Sequence, residues 1–302
     1  MSAPGSPIPG RALTGAILAA WLSGLSGAAA AATARPARIV SLAPSLTEIL
    51  FAVGAGDAVV GVTRYCDHPQ AATTRAQVGG IEDGSIDLER VLALSPNLVL
   101  AIGDGQRSTV EALRRFGVRV EVLPGRRLVQ VLGTIDRVGE LAGRKAAARR
   151  LHADLHRRVE RVRRAVGGVR AGRRPRVFYQ LWDDPLMTGT RRTLIGELIE
   201  LAGGVNLFAD LPGAYPLVSL ESVLERDPEV IVAPDHHAAP VSRETVLRRP
   251  GLAATSAVRT GRVLMVAGDT ISRPGPRIVD ALELLAQACH PELMRRSAAG
   301  PP

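Results

Sequence analysis

Aromatic side chains are scarce in this 302-residue chain, at 3% of positions, and lysine is nearly missing, with Lys145 standing alone. That scarcity gives weight to any aromatic residue in a binding position. Cysteine is limited to Cys66 and Cys289. They could pair in an oxidising compartment, although nothing in the sequence shows that they meet. A P-loop, a dinucleotide fingerprint, a G-x-S-x-G elbow and an H-E-x-x-H helix are all missing. No nucleophile is matched to a base, so catalysis has no positive support. What is present, 46% hydrophobic and 22% charged residues, describes a globular chain long enough for two lobes with separate cores.

Residues 1–34 read as a signal peptide. Arg11 supplies the positive start, residues 12–25 form an apolar stretch, and Ala32-Thr33-Ala34 gives a small-residue cleavage site. The stretch is shorter than the roughly 20 strongly apolar residues of a membrane span. It is also broken by Thr14, Gly15 and Ser23. No cysteine follows it to take a lipid, so the expected location is the periplasm, without an anchor. The formal charge is +9, and much of the excess falls in residues 144–176, a helical stretch with a solvated basic face. With no helix-turn-helix, zinc finger or aromatic-basic stripe, the chain does not read as a nucleic-acid binder.

An internal repeat organises the rest. Residues 88–101 (LERVLALSPNLVLA) lie over residues 220–233 (LESVLERDPEVIVA) at a constant offset of 132. Each copy is a short amphipathic helix, a proline that a helix cannot continue through, and an apolar run of buried-strand length. Outside the copies, strands are expected at 38–42, 118–123, 176–181 and 262–266, with helices at 47–53 and 194–202. Strands alternating with helices imply parallel sheets with right-handed crossovers. The expected fold is therefore α/β: two similar parallel-sheet lobes, 35–125 and 174–302, joined through a helical linker at 126–173. Within that linker residues 145–166 predict one proline-free helix of about 33 Å, at ~1.5 Å per residue. A rigid helical link of this kind argues against wide hinge closure.

Ligands of open α/β sheets bind beyond the carboxyl ends of the strands. Here those ends are Ala43-Pro44-Ser45 and Trp182-Asp183-Asp184-Pro185, with the loops 63–69 and 268–277 pointing the same way. Ser45 and Glu48 form an S-x-x-E capping box, which accounts for Glu48 without a ligand. Trp182 precedes a loop signal and is expected at a ligand surface. Tyr65-Cys66-Asp67-His68-Pro69 and His236-His237 lack metal-ligand spacing. Glu89 and Glu221, each two residues after an N-cap candidate (Asp87, Ser219), occupy equivalent first turns. The helix dipole favours a carboxylate there by about 0.3–1 kcal/mol. It does not require the same residue in diverged halves, and a pair related by pseudo-two-fold symmetry suits a symmetric dimeric partner.

The chain resembles the helical-backbone periplasmic binding proteins of ABC importers for cobalamin, haem and ferric siderophores, over residues 37–293. The likeness rests on RIVSLAPSLTE (38–48), GVTRYCDHP (61–69), DLER (87–90), LAGGVNLF (201–208) and SRPGPR (272–277), and is greatest to the cobalamin-binding branch. The resemblance implies a monomer that binds a corrinoid between the lobes, near Pro44, Ser45, Tyr65, Trp182, Asp269 and Arg273. It implies docking of Glu89 and Glu221 on arginines of the two permease subunits, and no catalytic cofactor or resident metal. Haem or an iron chelate is the alternative ligand, with Tyr65 or His68 as iron contacts. The loop 80–84 lacks the aromatic that some cobalamin binders carry there. From other classes, a metal-dependent hydrolase would need clustered ligands that six histidines do not supply, and a receptor-docking sensor would share the binding fold.

Overall fold

The structure, a computed structural model, describes residues 1–2, 37–103, 105–235 and 242–298. Residues 3–34 of the segment read as a signal peptide, and the pair His236-His237, therefore lie outside the described residues. Residues 37–298 form one body. Its first half runs β1 (Ile39–Ser41), α1 (Pro44–Ala52), β2 (Val59–Val62), β3 (Ala76–Gln77), α2 (Leu88–Ala93), β4 (Leu98–Ile102), α3 (Arg107–Arg115) and β5 (Val120–Leu123). Two long helices follow, α4 (Leu128–Leu141) and α5 (Lys145–Val166). The second half begins β6 (Arg176–Tyr179), α6 (Leu194–Leu201), β7 (Val205–Asn206), α7 (Leu220–Arg226), β8 (Val230–Asp235) and α8 (Arg243–Arg248). It ends with α9 (Ser256–Arg259), β9 (Val263–Ala267), α10 (Gly268–Ser272), α11 (Ile278–Cys289) and α12 (Pro291–Ala298).

All strand pairs are parallel, in the orders β3-β2-β1-β4-β5 and β7-β6-β8-β9. The second order is the first with its outer strand β3 removed. The repeat is visible at single residues. Ser95 and Asp227, 132 apart, are the non-glycine residues with positive φ among the described residues, at 46° and 41°. Each sits just before the proline that turns helix into strand. At the first strand of each half, the Arg38 and Arg176 amides donate to Asn97 Oδ1 and Glu229 Oε2, both at 3.0 Å. Their guanidinium groups donate to the carbonyls of Leu94 and Arg226. These partners are again 132 apart, so the duplication extends to the braces that close each lobe.

Side-chain alternation divides each central strand between two cores. Ile39, Leu98, Leu100, Val177, Tyr179, Val230 and Val232 belong to one cluster shared with α1, α4, α5, α6 and α11. Their neighbours Val40, Val99 and Ala101 belong to a local core of the first lobe, and Phe178, Ile231 and Ala233 to one of the second. The shared core makes α4 and α5 part of both lobes. Leu155, Val159, Val162 and Val166 bury one stripe of α5, each worth about 1.5–3 kcal/mol of burial. Arg158 donates to Asp280 and Glu283 of α11, and Arg161 also reaches Glu283. Cys66 and Cys289 are buried free thiols, and burial pushes the Cys289 thiol up to about 12.

One local expectation fails. α1 starts at Pro44, with Ala43 as an N-cap that offers no side chain. Proline at the first helical position lacks an N–H that would be unpaired there anyway, and its φ is preset. Ser45 is thus inside the helix, and the Ser45–Glu48 capping box does not form.

Candidate functional site

Loops that follow strands of the two sheets meet where the segment joining α10 to α11 lies against α1 and the loops after β2 and β5. Arg273, Pro274, Gly275 and Arg277 reach from the second lobe onto the first. Glu48, 3% exposed, accepts two bonds from Arg277 at 3.0 and 2.6 Å and a weaker one from Arg273 at 3.4 Å. Arg273 also donates to Asp67 at 2.5 Å and to the Tyr65 carbonyl at 3.2 Å, and pairs with Asp269 at 2.8 Å. Three carboxylates therefore surround two guanidinium groups at the contact between lobes. Burial pushes the Asp67 carboxyl up, but the Arg273 hydrogen bond and charge outweigh it and hold Asp67 below 3.8. The close approach demands a missing side chain. A Cβ at Gly275 would sit 3.2 Å from Glu48 Oε2, and one at Gly125 would sit 2.9 Å from the Pro274 ring.

The loop after β2 is fixed from inside. Thr47 donates to the Cys66 sulfur at 3.1 Å, and Thr63 Oγ1 lies 3.2 Å from it. Tyr65 next to it is turned outward, 41% exposed, with the Arg64 guanidinium 5.2 Å from its ring centre. In the second lobe, Trp182 is half-buried and its indole N–H donates to the Asp184 carbonyl at 3.0 Å. Asp183 is held by Gln180 and Arg249, each at 2.6 Å, which steadies the loop carrying the indole.

Of the residues expected at the ligand surface, Tyr65 is exposed and Trp182, Asp269 and Arg273 are half-buried, each in a loop or helix that follows a strand. Pro44 and Ser45 differ in exposure. Both are buried in the first turn of α1, with the Gly275 segment packed over Ser45. Sequence reasoning missed Tyr215 and Leu217, which are 51% and 62% exposed. Backbone bridges run from Trp182 to Met187 and from Met187 to Leu217, so these side chains extend the surface begun by Trp182. An aromatic inside the Gly213–Leu217 turn of an aromatic-poor chain was the available signal. Glu48 and Arg277 were missed as inter-lobe partners.

Glu89 and Glu221 are exposed at equivalent first turns of α2 and α7. The Asp87 and Ser219 side chains accept from Arg90 N at 3.0 Å and Ser222 N at 3.2 Å. The caps are thus Asp87 and Ser219; the Glu221 carboxylate also bonds its own amide and the Ser219 hydroxyl, which hold it below the ordinary value, and among the described residues neither glutamate has an ion-pair partner. Among the described residues there is no group of three or more His, Cys, Asp or Glu able to hold a metal. No helix among them is long and apolar enough to cross a membrane.

Residues 39–269 match a family model described as periplasmic binding protein. The chain belongs to the periplasmic binding protein family. A vitamin B12-binding protein of Pectobacterium carotovorum is 32% identical over 267 residues, 87% of this chain and 91% of that one. A cobalamin-binding protein of Halobacterium salinarum is 34% identical, covering 84% of this chain and 70% of its own. Among solved structures, the periplasmic vitamin B12-binding protein of Vibrio cholerae superposes with a TM-score of 0.74 at 30% identity, over 88% of this chain and 99% of that one. A periplasmic haem-binding protein of Pseudomonas aeruginosa gives 0.73 at 28% identity, over 85% and 94%. Membership thus rests on nearly the whole body, both sheets and the helices between them.

Proposed function

We propose that the protein binds a corrinoid in the cleft between its lobes, in the periplasm, and delivers it to an ABC permease dimer. The observation carrying this reading is the extent of the likeness to proteins named for vitamin B12 binding, at 30–34% identity. The site is of matching chemistry. Tyr65, Trp182, Tyr215 and Leu217 offer flat and apolar surface, while Asp269 and Arg273 supply polar contacts at its edge, with Pro44 and Ser45 behind the Gly275 segment. The work required is binding and release, with no bond made or broken, by a monomer whose export uses residues 1–34 as a cleaved signal peptide. Glu89 and Glu221 then meet basic groups on the two halves of the permease. Their exposure at equivalent first turns, without an ion-pair partner among the described residues, supports that role.

Haem is the second reading, because Tyr65 presents an exposed phenol at the cleft and haem binders share this fold. Titration of the mature chain with cobalamin, haem and a ferric siderophore decides between them, followed by Trp182 fluorescence and by calorimetry. Binding of a corrinoid at micromolar concentration, about −8 kcal/mol, is expected; calorimetric silence with every corrinoid removes the first reading. Charge reversal of Glu89 and Glu221 is expected to impair transport while leaving affinity unchanged. Lost affinity with normal transport removes the docking role.

A further inference from the structure

Positive charge is concentrated in one part of the chain. Residues 144–176 hold thirteen basic side chains and two acidic ones, a net of +11, so the rest of a chain of +9 sums to −2. Much of that charge is neutralised locally. Arg157, Arg158, Arg161 and Arg163 pair with Asp154, Asp280, Glu283 and Glu160. Arg170, Arg173 and Arg174, just beyond the end of α5, differ. All three are exposed, and among the described residues their guanidinium groups make no hydrogen bond or ion pair.

Two of them face a cavity. Arg170 and Arg173 line a concavity of about 670 Å³, whose other walls include Ala165, Val169, Leu293 and His290. The volume is in the range of small-molecule sites, about 300–1,000 Å³. His290 is fixed by its Nε2 contact with the Gly203 carbonyl at 3.0 Å. The exposed carboxylate of α12 beside it, Glu292, is occupied by Arg295. The C-terminal end of α5 contributes about −0.5 of a charge, which two unpaired guanidinium groups outweigh. Guanidinium is the side chain that grips phosphate oxygens in pairs.

We propose that this basin binds the phosphate of an anionic phospholipid headgroup at a membrane surface. Arg170 and Arg173 take the phosphate, and Ala165, Val169 and Leu293 lie against the adjoining glycerol and first methylenes. The apolar wall favours a lipid over a free anion, which has no group to place there. Arg174 and the exposed arginines of α5 add attraction over a Debye length of about 8–10 Å. The site is separate from the cleft and independent of which solute fills it.

Co-sedimentation of the full mature chain with vesicles tests this, comparing phosphatidylglycerol–phosphatidylcholine mixtures with phosphatidylcholine alone at low salt. Binding to the anionic vesicles only is expected. The double variant Arg170→Ala with Arg173→Ala is expected to weaken partitioning on the order of 25-fold, at about fivefold per arginine near an anionic surface. Both side chains are exposed and unpaired, so folding is not at stake. The control, Arg149→Ala with Arg150→Ala, removes the same charge near the other end of α5 and is expected to weaken binding much less. Equal losses in the two variants would mean diffuse attraction and overturn the proposal, as would no binding to anionic vesicles. Complete release by millimolar inorganic phosphate at constant ionic strength would reassign the site to a free anion and overturn the lipid.

Discussion

Glu48 is the residue on which the contact between lobes turns. A carboxylate this buried is tolerable because two guanidinium groups compensate it, and they come from 225 and 229 residues away in the chain. Removing one partner of a buried pair leaves the other charge uncompensated, at about 3–5 kcal/mol. Arg277 keeps a quarter of its side-chain exposure, so Glu48→Ala is expected near the low end, about 3 kcal/mol by urea unfolding. Glu48→Gln keeps an acceptor oxygen and is expected to lose about 1–3 kcal/mol. A loss below ~1 kcal/mol for the alanine variant would mean that water already replaces the pair. The sequence hides this role for a physical reason. A capping pattern is local and Ser45 to Glu48 satisfies it, whereas the partners that claim the carboxylate are brought by the fold alone.

At the scale of elements, the two repeat copies invite a matched pair of substitutions. Ser95 and Asp227 hold the same left-handed backbone, which costs a non-glycine residue about 1–2 kcal/mol. Ser95 is exposed, with only a backbone bond to Leu92, so Ser95→Gly is expected to stabilise by up to ~1 kcal/mol after the unfolded chain's extra freedom is counted. Asp227 accepts from Ser256 N and Oγ, both at 2.7 Å, and pairs with Arg176. Asp227→Gly is therefore expected to destabilise, despite identical relief of backbone strain. Thermal unfolding of both variants checks this, and equal shifts of one sign would refute the side-chain account. The elements themselves were legible: α5 and α6 begin where the spacing of apolar residues puts them, and the 132-residue offset survives in backbone angles. Less legible were α1, whose start was set by Pro44 rather than by the serine after it, and the ledge formed by Met187, Tyr215 and Leu217. That ledge depends on bridges between segments with no periodic pattern, so nothing local announces it.

Over the whole molecule, carboxylates join segments far apart in sequence, and this makes acid the natural way to loosen it. Asp67 faces Arg273 across the lobes. Glu283 of α11 faces Arg158 and Arg161 of α5; burial raises its carboxyl, but those two arginines outweigh it and hold it below 4.5. Asp83, accepting from the amides of Ser108 and Thr109 at the start of α3, is pulled well below the usual carboxylate range, chiefly by those amides. All three shifts are downward, so the folded protein holds fewer protons than the unfolded chain as the pH falls through the carboxylate range. Their stabilisation is complete above the unfolded values of 3.8 and 4.5 and is lost progressively as the pH drops towards the folded ones. The melting temperature is accordingly expected to stay level from neutrality to about pH 5 and to fall steeply below about pH 4. Arg273→Gln separates the inter-lobe share from the rest. Without the guanidinium, Asp67 returns toward its ordinary value, so the variant should melt lower at neutral pH and lose less on acidification. Parallel melting curves for the two proteins between pH 5 and 3 would show that the contact between lobes is packed rather than charged, leaving Gly125, Pro274 and Gly275 to hold it.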